Sequence, residues 1–228
     1  MKQLLYHLSN FFFPDICPVC RQILALPGEI LCLQCELNMP YTGYISDPDN
    51  PVARLFWGRT RVEGATSLFR FEKGSAYQPL LHALKYRGKK EIGLYLGKML
   101  GNEIAGSTFA SCKYLVPVPL HEKKLRKRGY NQSEIIAMGV SSVTGLEINN
   151  QLLIKSLNTG TQTKRSRFER YENVKQVFQL KKIPELEEES GILLIDDVVT
   201  TGATLEACTE AILSYLPVKV YIATVACV

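Results

Sequence analysis

Two adjacent carboxylates, Asp196 and Asp197, run through Val198 and Val199 into a stretch of small hydroxyl residues and glycine, Thr200, Thr201, Gly202, Ala203 and Thr204. These residue types in this order suit one chemistry. Neighbouring carboxylates accept hydrogen bonds from the vicinal hydroxyls of a ribose. A loop that opens a helix presents free backbone N–H groups to an anion. Gly202 brings the backbone close to a phosphate with no Cβ in the way, and the threonine hydroxyls add donors. The flanking elements must hold them there. Ile192 to Ile195 is an apolar run that predicts a buried strand of a parallel sheet. Leu205, Cys208, Ile212 and Leu216 fall on about one face of a following helix. Strand, acidic pair, loop and helix together fit a ribose 5-phosphate across the carboxyl end of the strand, where open α/β sheets place ligands. The plain alternative is an ordinary strand–turn–helix with a threonine N-cap.

A second cluster of reactive side chains lies near the amino terminus. Cys17 and Cys20, then Cys32 and Cys35, form two CxxC pairs with eleven residues between them. Each pair is expected to form a tight knuckle, and four thiolates at this spacing suit a closed, structural tetrahedral zinc site. An iron–sulfur cluster or two disulfides remain chemically open. Such a module can also dock a partner. Cys208 and Cys227 fit core packing, and Cys112 gives no signal. Seven cysteines and no recognisable signal peptide point to a reducing compartment and a cytoplasmic protein. No apolar stretch is long enough to span a membrane. The start, with Leu4, Leu5, Leu8, Phe11 and Phe12, reads as a short amphipathic helix packing on the protein, with peripheral attachment at the inner membrane face or a partner as the alternatives.

The composition is that of a globular chain: 228 residues, 46% hydrophobic and 21% charged, with a net charge of +5. The balance suits anionic ligands without requiring nucleic acid. The basic residues cluster in three segments: Lys85 to Lys90; Pro117 to Gln132, with His121, Lys123, Lys124, Arg126, Lys127 and Arg128; and Thr161 to Phe178, with Arg167 and Arg170. Any one such run is an ordinary solvated face. Residues 1–50 are expected to hold the first helix, the cysteine module and a turn-rich linker from Tyr41 to Pro51; residues 51–228 are expected to form the main domain. Within it, Arg61 to Phe71 reads as extended with a hairpin-like break at Gly64. Helices are expected at Tyr77–Tyr86, Glu91–Ile104 and Asn131–Val143, and strands at Tyr114–Val118 and Val218–Ala226. The acidic run Glu185 to Glu189 reads as a solvated loop.

VPVPLHEKKLRKRGYNQSE, the KYRGK segment, the TQT stretch with its arginines and LLIDDVVTTGATL occur in this order behind four cysteines. Leu193 to Leu205 resembles the 5-phosphoribosyl 1-pyrophosphate (PRPP) signature of type I phosphoribosyltransferases, and the combination resembles the ComF family of competence-associated, phosphoribosyltransferase-like proteins over nearly the whole chain. Lys155 departs mildly, standing where the family would carry arginine ahead of the Thr-Gln pair. The resemblance implies an α/β fold with a twisted parallel sheet flanked by helices and a small zinc-ribbon-like module. It also implies PRPP or a related phosphoribosyl compound as ligand, Mg²⁺ travelling with it, and a role in DNA uptake that assists single-stranded DNA import.

Catalysis, if retained, would hold the ribose on Asp196 and Asp197 and the 5-phosphate on residues 198–204. Lys85, Arg126 and Arg128 would meet the pyrophosphate, and His121 is an acid/base or anion-donor candidate. Asn158 to Asn173, freed by Gly160, would close over the site with Arg167 or Arg170. No segment names an acceptor. Three readings therefore stay open: a PRPP-binding protein of DNA uptake, touching single strands through Tyr86, Tyr130, Phe168 and Tyr171; an active phosphoribosyltransferase; and a PRPP-sensing module that signals to DNA-translocation partners through the cysteines.

Overall fold

Ile192, Leu193, Leu194 and Ile195 have no exposed surface at all. A strand achieves this only with both faces covered and a neighbour on each edge. The computed structural model describes residues 14–72, 74–155, 177–183, 186 and 190–228. In it these four residues lie in β6 (Gly191–Val199), the middle strand of a five-stranded sheet. The other strands are β1 (Gly64–Arg70), β2 (Cys112–Pro117), β3 (Glu147–Ile148) and β7 (Lys219–Cys227), in the order β1-β7-β6-β2-β3 and all parallel.

Alternation along β6 builds two cores. Leu193 and Ile195 join one cluster, Ile192 and Leu194 the other. The first is covered by α3 (Gln78–Tyr86), α4 (Lys90–Ala105) and α6 (Gln132–Thr144), through Leu80, Leu96, Leu100, Ile136 and their neighbours. The second is covered by α2 (Pro51–Arg54), α7 (Ala203–Leu213) and an antiparallel pair, β4 (Leu153–Lys155) with β5 (Phe178–Leu180). This is the α/β sheet flanked by helices that the sequence predicts. The expected helices and strands appear, most with ends shifted by one or two residues; β6 runs four residues past Ile195 to Val199, and β1 starts three residues after Arg61.

One helix contact sets the position of the site. Gly93, Gly97 and Gly101 stand four apart on α4, facing α6. A Cβ on Gly97 would come within 2.2 Å of the Ile136 carbonyl oxygen, and one on Gly139 within 2.4 Å of that of Leu94. The two backbones approach this closely only because no side chain intervenes. That approach fixes where the amino end of α6 meets the sheet.

Two expectations change. The hairpin-like break at Gly64 is absent: Gly64 opens β1 opposite Tyr221, and β1 pairs in the sheet only with β7, in parallel. Glycine is needed there because a Cβ would stand 3.0 Å from the Phe109 ring. Residues 41–51 carry the predicted turns but are pinned rather than loose. Tyr41 bridges Phe69, and the buried Asn50 donates to the carbonyls of Asp47 and Ala65 while its Oδ1 caps α2 at Val52 and Ala53. Cys17, Leu24, Leu31 and Cys35 belong to the same apolar cluster as Phe69 and Leu80, so the cysteine module shares a core with the sheet. Residues 1–13 and most of the acidic run lie outside the described residues.

Candidate anion and ribose site

The carboxyl end of β6 delivers Asp196 and Asp197 side by side, half-buried, at the mouth of the sheet. The two are held from different directions. Ser133, in the first turn of α6, donates its hydroxyl to Asp196 Oδ1 at 2.8 Å, and the Asp197 backbone N–H donates to the same oxygen at 2.9 Å. Lys85, near the end of α3, places Nζ 3.1 Å from Asp197 Oδ2. Burial and the neighbouring Asp197 charge push the Asp196 carboxyl up to about 7, against the lowering effect of the Asp197 N–H, Ser133 and Lys85. The pair is thus held in place by fixed donors before any ligand arrives.

Beyond the acids the chain turns sharply at Gly202, whose φ is +75°, and enters α7. Among the described residues no side chain caps this helix, an arrangement that suits an anion at its first amides. A small hollow of about 50 Å³, phosphate-sized, is lined by Asp196 and the run Val198 to Leu205. Val199 is buried in the second core, so only its backbone can serve a ligand. A Cβ at position 202 would press within 3.0 Å of the Phe56 ring, which supports the turn from behind.

The segment after β2 behaves differently from its sequence expectation. His121 is the N-cap of α5 (Glu122–Arg128), its Nδ1 accepting from the Lys123 N–H at 3.1 Å. Arg126 points to solvent and pairs with Glu122 at 3.7 Å within the same helix. Arg128 lies over the Tyr86 ring, 5.4 Å from its centroid, one residue along the chain from Lys85. Of the three cations expected at a pyrophosphate, Lys85 touches the acidic pair, Arg128 sits beside α3, and Arg126 stands apart. Arg167, Arg170 and the whole stretch 158–173, with Phe168 and Tyr171, lie outside the described residues. Tyr130 is buried, donating to the Leu84 carbonyl, while Tyr86 is exposed and packs on His82.

Several residues of the site escape sequence reading. Ser133 is one; the Asn131-x-x-Glu134 spacing is a helix-start signal that would have placed its hydroxyl in a first turn. Asn131 caps α6 at the Ser133 N–H and ties the Val118 carbonyl at 3.0 Å. Beside it Gln132 is buried, its amide nitrogen without a partner among the described residues. Arg59 reaches the loop before α7 from the turn after α2, donating to the Thr201 carbonyl at 2.8 Å.

Elsewhere, the sulfurs of Cys17, Cys20, Cys32 and Cys35 all lie within 4.8 Å of one another and could hold a metal ion. The first CxxC is a knuckle between the paired residues Ile16 and Ile23. The second is not a free knuckle: Cys32 precedes α1 (Leu33–Leu37) and Cys35 sits inside it. Tyr77 ties the module to α3 by donating to the Cys35 carbonyl at 2.8 Å. Cys208 and Cys227 are buried in the core as expected, and Cys112 joins them, its thiol pushed up to about 12 by burial. A larger cavity of about 470 Å³ opens where β1 begins, away from the acidic pair. Glu103 on its wall has its carboxyl raised to about 7 by burial. No described helix is long and apolar enough to cross a membrane.

No protein-family model matches the chain. The DNA utilization protein YhgH of Salmonella typhimurium is 27% identical over 216 residues, spanning 88% of this chain and 91% of that protein. Competence protein F of Haemophilus influenzae is 30% identical over 209 residues, spanning 87% of this chain and 91% of that one. Among solved structures, adenine phosphoribosyltransferase of Leishmania tarentolae matches with a TM-score of 0.36 and 11% identity, over 79% of this chain and 89% of that one, too weak a likeness to bear on function.

Proposed function

This chain belongs to the ComF family of competence-associated proteins, and on that premise we propose that it binds PRPP, or a related phosphoribosyl compound, together with Mg²⁺, in the service of DNA uptake. One observation carries the reading: two braced carboxylates and an uncapped helix amino end share one strand terminus around a phosphate-sized hollow. Asp196 and Asp197 would take the ribose hydroxyls, and residues 198–204 the 5-phosphate. Lys85, paired with Asp197, and Arg128, over the neighbouring Tyr86 ring, would meet the pyrophosphate, with Arg126, His121, Arg167 and Arg170 as further candidates.

If transfer occurs, the bond from the anomeric carbon to pyrophosphate breaks as the acceptor's lone pair forms the new one, through an oxocarbenium-like state. This chain's residues would hold the ribose and stabilise the departing charge. Mg²⁺, when bound, would neutralise pyrophosphate charge and take few protein ligands.

For the cysteine module we infer zinc. Zn–S bonds of about 2.3 Å in a tetrahedron place sulfurs about 3.8 Å apart, and Cys20 and Cys32 already stand at 3.6 Å.

The test is calorimetric titration of Mg-PRPP into the zinc-loaded wild type and into Asp196→Asn/Asp197→Asn. Binding by the wild type that the double variant loses supports the reading; no binding by the folded wild type overturns it. Pyrophosphate release that requires an added acceptor would identify a working transferase. Binding without release, with a translocation protein captured by residues 1–50, would identify a sensor.

A second reading adds single-stranded DNA. It is favoured by the outer face of α5, where Lys123, Lys124, Arg126 and Lys127 are all exposed. Affinity for a single strand should then fall steeply with salt and weaken when Arg126 and Arg128 are neutralised. An unchanged affinity in that variant would move the strand elsewhere.

A further inference from the structure

The phosphate loop is braced from outside by a segment that is distant in sequence. Phe56 packs beneath Gly202, and Thr60 donates to Glu210 on α7. Between them Arg59 spreads its guanidinium over three acceptors. Nη1 donates to the Leu55 carbonyl at 2.9 Å and to the Thr201 carbonyl at 2.8 Å, and Nη2 pairs with the Glu206 carboxylate in the first turn of α7.

The consequence lies in the peptide between Thr201 and Gly202. A peptide is planar, so its carbonyl and its N–H point in opposite directions. Arg59 draws the Thr201 carbonyl outward, towards the α2 side of the loop. The Gly202 N–H must then face the other way. A guanidinium has the fork geometry to hold carbonyl and carboxylate at once; a lysine ammonium is a point charge without that fork. Glu206 completes the arrangement by fixing the guanidinium and lessening its charge at the loop.

We infer that Arg59 is a positioning residue, which turns the Thr201–Gly202 peptide so that the loop amides are aimed at a phosphoryl group before it binds. The inference rests on the reading of this loop as the 5-phosphate site. It assigns to Arg59 no contact with the ligand.

Calorimetry with ribose 5-phosphate and, separately, Mg-pyrophosphate tests it on the full zinc-loaded chain. Arg59→Ala should weaken ribose 5-phosphate by roughly tenfold, the size of one lost charge-assisted hydrogen-bond array, and leave pyrophosphate unchanged. Arg59→Lys, which keeps the charge, should also lose affinity, and it decides the matter should the alanine variant not fold. Thr60→Val removes a brace that does not touch the loop; it should lower the melting temperature and leave ribose 5-phosphate affinity intact. Equal affinity in wild type and both Arg59 variants overturns the inference while the phosphate-site reading stands. So does a loss that Thr60→Val reproduces, or one shared equally by pyrophosphate, since either marks general loosening. A wild type that binds neither probe overturns both.

Discussion

Among the helix starts around the acidic pair, those of α5 and α6 differ from that of α7. α5 and α6 supply their own caps: His121 accepts from the Lys123 N–H and Asn131 from the Ser133 N–H. α7 begins at Gly202 with no side-chain cap among the described residues. A cap satisfies a helix and closes it to ligands; glycine in the same place costs stability and leaves the amides open. The contrast sets the glycine start of α7, with a small hollow beside it, against the capped starts of α5 and α6; among the described residues α3 and α4 also begin without a side-chain cap. It also recasts the basic loop after β2, whose most suggestive residue, His121, already has a structural task.

The largest effect should come from abolishing the difference. Gly202→Asn would give α7 a cap of its own and push a Cβ against Phe56. Ribose 5-phosphate affinity should fall by roughly a hundredfold in calorimetry, and unchanged affinity would show that the open helix start is not the phosphate site.

Next comes the pH dependence of stability. Asp196 is raised from the ordinary carboxylate range to about 7, so the folded state holds a proton that the unfolded state has released. Stability should fall as pH rises from about 4 to about 7. Denaturant melts of Asp196→Asn should lack that part of the slope, and a slope unaltered by the substitution would show that Asp196 is not the proton carrier.

A smaller change is expected at a closed helix start. Asn131→Ala should cost about 1 kcal/mol of stability in denaturant melts. A loss of ligand affinity larger than the loss produced by Ser133→Ala would mean that Asn131 acts on the site other than through Ser133.

The smallest effect should be that of His121→Asn, which keeps a cap at α5 and removes the ring. Stability should hold within about 0.5 kcal/mol. Lost affinity for Mg-pyrophosphate would return His121 to the ligand.

Local signals made much of this legible. An apolar run, two carboxylates and a glycine within a few residues define strand, turn and helix, because each depends on its immediate neighbours. The paired CxxC spacing marks a cluster of four thiols that could hold a metal ion, for the same reason. The Gly64 break was misread because glycine signals a turn in isolation, whereas here it makes room for Phe109. The pinned stretch 41–51 was misread because Asn50 looks like a turn residue, yet its amide reaches Ala65 on β1.

Residue order alone determined that Asp196, Asp197 and the loop up to Thr204 would stand together at the end of a buried strand, and that four cysteines would converge. It could not decide what holds those groups. Ser133 meets Asp196 across 63 residues of chain, and Arg59 meets Thr201 across 142. No periodicity or spacing encodes such contacts; they exist only once Gly97 and Gly139 let α4 and α6 close together and the turn after α2 packs against the start of α7. The chemistry was written in neighbouring residues, and its geometry was decided by side chains that become neighbours only on folding.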